Sequence, residues 1–90
     1  MDVKIYEDTI NPFDVETAKR FVYAHRNIFA KSVRRRVIHA DFELIVVKEI
    51  TTAPDGEKEV WYWGFTPTKR GIVENVNDEE AIQLLSEALL

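Results

Sequence analysis

From Val33 to Thr52 the chain alternates apolar and polar residues with a period of two, and β-branched side chains dominate. Ile38, Ala40, Phe42, Leu44, Val46 and Ile50 share one parity; Val37, His39, Asp41, Glu43, Ile45 and Val47 share the other. That pattern predicts either one long strand or two strands broken near Ala40-Asp41. Ala53-Pro54-Asp55-Gly56 then signals a turn, because proline presets one central position and glycine supplies the positive φ of a bulged hairpin. The return strand is Glu59–Thr66. Aligned across such a turn, Ile45 faces Phe65, Val47 faces Trp63 and Glu49 faces Trp61 on one side, and Val46, Lys48 and Ile50 face Gly64, Tyr62 and Val60 on the other.

Two stretches carry the helical period instead. Asn11-Pro12-Phe13-Asp14 reads as a helix start, with Asn11 as N-cap and Pro12 at the first helical position. Val15, Ala18, Phe21, Val22, Ile28 and Phe29 fall on one arc, so this helix is expected from about Pro12 to between Asn27 and Ser32, with a Glu16–Arg20 pair on its polar side. Near the other end, Asn77 followed three residues on by Glu80 predicts a second helix, with Ala81, Ile82, Leu85, Ala88 and Leu89 as its apolar stripe. Asp2–Tyr6 is read as a short strand. Lys69-Arg70-Gly71 belongs to a loop, and Ile72–Val76 is a further short strand.

The expected fold is therefore α+β over residues 1–90 as a single domain: a two-layer arrangement of a small antiparallel sheet, three to four strands, packed by two helices in the order β-α-β-β-(β)-α. Both faces of the hairpin are largely apolar. If the helices share one face, the other leaves Trp61, Trp63, Phe65, Ile45 and Val47 for a neighbour to cover, and a homodimer through this aromatic hairpin is the expected use. The alternative puts the helices on opposite faces, or curls the sheet so that Trp61 and Trp63 enter one core.

Charge changes the picture more than composition does. Between Thr17 and Ala40 there is no Asp or Glu, yet Lys19, Arg20, Arg26, Lys31, Arg34, Arg35 and Arg36 lie there, in a chain whose net charge is −4. A field so segregated selects partners. Arg20, Arg26, Arg34, Arg36, Lys69 and Arg70 are the candidates for binding an anion or a nucleic acid, and in a strand only Arg34 and Arg36 of the arginine triplet project together. The helix-strand-strand-strand-helix order resembles double-stranded-RNA-binding domains, but their second helix opens with lysines, whereas this one opens Asp78-Glu79-Glu80. A protein partner for the basic segment is accordingly preferred to nucleic acid.

Chemistry is sparse. Cysteine is absent, which excludes disulfides, thiolate metal sites and thiol nucleophiles. His39, Asp41 and Glu43 share a parity, but same-face neighbours about 6.5–7 Å apart cannot all reach one ion without a bulge. Three glycines form no phosphate-cradling loop. No catalytic residue, metal site or cofactor is expected. The first residues lack a signal-peptide layout and no apolar run spans a bilayer, so the expected setting is cytoplasmic and without membrane association. The sequence reading is thus a small non-enzymatic, accessory or regulatory interaction module, with a nucleic-acid-binding accessory protein as the alternative.

Overall fold

The computed structural model describes residues 3–7, 13–26, 28–74 and 76–90. Five strands, β1 (Lys4–Glu7), β2 (Ser32–Ala40), β3 (Ile45–Thr52), β4 (Lys58–Phe65) and β5 (Lys69–Glu74), and two helices, α1 (Val15–Ala24) and α2 (Asp78–Leu89), follow one another as β-α-β-β-β-β-α. The strands form one antiparallel sheet in the order β1-β5-β4-β3-β2. The α+β class and the antiparallel sheet agree with expectation; the strand count does not. Lys69-Arg70-Gly71, expected as loop, already pairs as β5, because Thr66 closes a tight turn: its amide donates to the Lys69 carbonyl at 2.7 Å. That turn gives β5 its length, and β1 adds to β5's outer side.

The Val33–Thr52 stretch is two strands. Asp41 makes the break: its Oδ1 accepts from the amides of Glu43 and Leu44 at 2.8 and 2.9 Å, a local turn that competes with the strand ladder. Those two amides, first of all, hold the Asp41 carboxyl below its ordinary range, with the His39 ring adding to the effect. A bulge between Val37 and His39 shifts the β2–β3 register. The β3–β4 register is the expected one along its length, Ile45 to Phe65, Val47 to Trp63 and Glu49 to Trp61, and Gly56 closes the hairpin at φ +91°.

The layer arrangement corrects the two-layer expectation. α1 packs its Ala18 and Val22 on Ile45, Val47, Trp63, Phe65 and Ile72, while α2 packs Ala81, Leu85 and Leu89 on Leu44, Val46, Tyr62 and Val73. These sheet residues have opposite parities, so the helices lie on opposite faces and each face has its own core. Gly64 and Gly71, cross-strand partners, bring α2 close: a Cβ on Gly64 would stand 3.0 Å from the Leu85 Cβ, and one on Gly71 3.3 Å from Leu89 Cδ2.

α1 is shorter than its apolar arc predicts. Asn11 and Pro12 lie outside the described residues. Asp14 is the N-cap, accepting from the Thr17 amide and hydroxyl, and these bonds lower its pKa. At the other end the His25 amide and ring Nδ1 both donate to the Phe21 carbonyl, closing the helix at Ala24. Ile28 and Phe29 thus lie beyond it and are exposed. On its polar side Glu16 meets Lys19 at 4.0 Å rather than Arg20. α2 starts as expected, with Asn77 Oδ1 accepting from the Glu80 amide at 2.8 Å. Among the described residues no helix is long and apolar enough to cross a membrane.

Candidate functional site: a basic strand edge and a cavity beyond the first helix

The five residues expected at an aromatic interface are placed by α1. Trp63, Phe65, Ile45 and Val47 are buried beneath it, and Trp61 is half-buried beside them. Four of the five are core and Trp61 packs against it, so α1 covers within the chain much of the aromatic face that suggested a dimer through the hairpin. The physical reason is that both faces of the sheet are apolar, so each needs a helix to cover it.

The six basic candidates do not form one patch. Arg70 is 3% exposed, with its guanidinium 4.2 Å from the Phe21 ring centroid, so the Lys69-Arg70-Gly71 loop site is replaced by a strand whose arginine faces the core. Arg26 turns to Tyr23, which also receives Arg35: the two guanidiniums stand 4.4 and 4.6 Å from its ring. Arg26 donates to the Tyr23 hydroxyl at 3.1 Å, and that bond lowers the phenol's pKa. Arg35 donates to the Lys19 carbonyl, tying β2 to α1. Arg20 is exposed on α1 and Lys69 half-buried at the start of β5.

Arg34 and Arg36 remain, and they act together. Both are exposed on the outermost strand, opposite Ile50 and Lys48 respectively, on the face that carries α2. α2 sits mainly against β4 and β5 and reaches β3 at Val46, and beyond it a cleft of about 520 Å³ opens along Arg34, Arg35, Arg36, Lys48 and Ile50. Among the described residues neither arginine has a carboxylate within ion-pair distance. Lys48 does: its Nζ is 3.2 Å from Asp78 Oδ1. The Tyr62 hydroxyl first, then Lys48 and the more distant Arg36, draw the Asp78 pKa down, while burial pushes Tyr62 up. The basic shelf therefore ends at the acidic start of α2.

On the opposite face α1 ends early. Ten residues of helix span about 15 Å, whereas the eight residues of β4 span about 26 Å, so the hairpin half of that face lies beyond it. A cavity of about 170 Å³ opens there, lined by Tyr6, His25, Glu49, Thr51, Trp61 and Trp63, with Lys4, Arg26 and Glu59 at hand. Glu49 is 2% exposed. Its Oε1 accepts from the Thr51 hydroxyl at 2.9 Å, but its Oε2 and the Trp63 Nε1 are buried with no hydrogen-bond partner among the described residues. Burial raises the Glu49 pKa, against the Thr51 hydroxyl and the fields of Arg35 and Arg26. His25 stacks on Phe21 at 3.9 Å, and Tyr6 lies near-parallel to Trp63 at 6.5 Å.

Sequence reasoning put Glu49 opposite Trp61 but gave it no role. Its signal was there: a glutamate and, two residues on, a threonine sharing the parity of Ile45 and Val47. The His39 group is local, with Nε2 2.8 Å from Asp41 Oδ2, and no group of three metal-ligating side chains occurs among the described residues. Comparison of the chain with protein-family models, with curated proteins and with solved structures finds no match.

Proposed function

We propose that this chain is a non-enzymatic protein-interaction module that takes up an acidic, extended segment of a partner protein along the outer edge of β2. The observation that carries the reading is the pair Arg34 and Arg36, exposed side by side on an edge strand and without a carboxylate among the described residues. An edge strand offers a row of backbone donors and acceptors to a sixth strand, and alternate side chains of the incoming segment then fall on the cations. Arg35, of the other parity, donates to the Lys19 carbonyl and ties the strand to α1.

Self-pairing is opposed by the same residues. Two copies of β2 aligned antiparallel about Arg35 would set Arg34 against Arg36 twice, and like charges directly opposite destabilise a ladder. A nucleic acid is opposed by the neighbourhood: Asp78 and Glu79 flank Lys48 beside the shelf, and a continuous phosphate backbone would meet them. A peptide places its acids one at a time and avoids that end.

The test is fluorescence anisotropy with a labelled peptide of alternating Glu and Val, against a single-stranded RNA of matching length. The reading expects the peptide to bind, an R34E/R36E variant to lose at least about tenfold in affinity, and added salt to weaken binding. Peptide affinity unchanged in that variant, or tighter binding of the RNA, overturns it. So does a stable homodimer whose interface occupies β2.

A further inference from the structure

We infer that the cavity beyond the end of α1 is a binding site for a small neutral nitrogen heterocycle with a lactam edge, an N–H beside a C=O. It lies on the other face from the Arg34–Arg36 shelf and does not depend on it.

Three observations choose this class. The first is a pair of polar atoms of opposite kind without a partner among the described residues: Glu49 Oε2 is an acceptor and Trp63 Nε1–H a donor, both atoms are buried, and both residues line one cavity, so a ligand pairs with them by displacing the side chains that now cover them. Unpaired buried groups of this sort are costly and rare, and a ligand that satisfies both recovers the loss. The two residues are diagonal neighbours across β3 and β4, Val47 pairing with Trp63 and Glu49 with Trp61. Diagonal residues stand roughly 7–8 Å apart at their base, near enough for both side chains to reach one ligand.

Size is the second. At about 170 Å³ the cavity is close to the roughly 150 Å³ that admits benzene, and well under the ~300 Å³ at which drug-sized or nucleotide ligands begin. The third is the lining. Trp61, Trp63 and Tyr6 present aromatic surface to a flat ring. Charge at the rim is mixed, Lys4 and Arg26 against Glu59, so neither a cation nor an anion is selected by field alone. An amidine would meet Glu49 but leave the indole N–H unmet. A carboxylate would meet the indole but oppose Glu49. The lactam edge meets both.

The probe is uracil, added to ¹⁵N-labelled full-length chain while the indole N–H resonances of Trp61 and Trp63 are followed. The expected result is a saturable shift of the Trp63 indole, with affinity on the order of 100 µM for so small a ligand. 1,3-Dimethyluracil, the same ring with both N–H groups blocked, should bind at least about tenfold more weakly, since it leaves Glu49 unmet. Benzamidine and benzoate should each be weaker than uracil. E49Q, nearly isosteric, should weaken uracil binding while leaving dimethyluracil unchanged, with its thermal melt as the check on folding. Equal affinity for uracil and dimethyluracil, tighter binding of benzamidine or benzoate, or no shift of the Trp63 indole at the solubility limit of uracil would each overturn the assignment. The ligand comparison uses the unmutated chain, so it stands even if E49Q fails to fold.

Discussion

Replacing Gly64 with alanine tests how closely α2 is seated. The new Cβ would lie 3.0 Å from the Leu85 Cβ, 3.0 Å from Leu89 Cδ1 and 3.1 Å from Leu85 Cδ1. A terminal methyl can rotate aside, but the Leu85 Cβ is fixed to the helix backbone, so α2 itself must lift by a few tenths of an ångström. Lifting it loosens contacts of Leu85, which is fully buried, along with those of Leu89 and Ala81 on Val46 and Tyr62. Overpacking of this kind costs about 1–3 kcal/mol. Alanine's lower backbone entropy in the unfolded chain offsets roughly 0.4–1 kcal/mol of that. The expected net loss is about 1–2 kcal/mol, or a fall in Tm on the order of 5–15 °C for a domain of this size. Urea unfolding followed by tryptophan fluorescence reads it cleanly, because Trp63 lies on the opposite face and reports global unfolding rather than local contact. A midpoint equal to or above the parent's would refute the close seating of α2 on the Gly64–Gly71 pair.

Two further substitutions follow from the same structure. E49Q should stabilise the chain at neutral pH by about 1 kcal/mol, since it removes a buried charge whose Oε2 is unmet. A raised pKa in the folded state means Glu49 lowers stability as pH rises through the interval between its unfolded and folded values, so the gain should shrink on acidification below that interval. Asp14, Asp41 and Asp78, whose pKa values are lowered, lose their stabilising contributions as pH falls, but equally in both proteins, so the difference isolates Glu49. N77A should cost about 0.5–2 kcal/mol by removing the acceptor for the Glu80 amide, measurable as a lower urea midpoint with an unchanged slope.

Local chemistry was the legible part of this chain. The hairpin register follows from Pro54 and Gly56 fixing the turn and from the parity of Ile45 to Ile50, and it needs no tertiary information. The Asn77 cap is equally local. What could not be read was the choice of face. Both sides of β3 and β4 are apolar, so parity alone does not say which side a helix takes; the glycines at 64 and 71 were the available clue, since a close-seated helix needs a strip without side chains. The end of α1 was hidden for a related reason. Ile28 and Phe29 keep the helical period, but the His25 ring caps the Phe21 carbonyl first. Arg34 and Arg36 were legible as a pair, whereas Lys48 joined them only through strand pairing, and the cavity depended on where α1 stops.

Hydrogen exchange on the backbone amides of β2, with and without a saturating acidic peptide, tests the docking edge most directly. Strand addition predicts that alternate β2 amides, those pointing away from β3, slow markedly in the complex, while the amides of β1 at the far edge do not change. Unaltered exchange along β2 at saturation, or protection appearing at β1 instead, would contradict it.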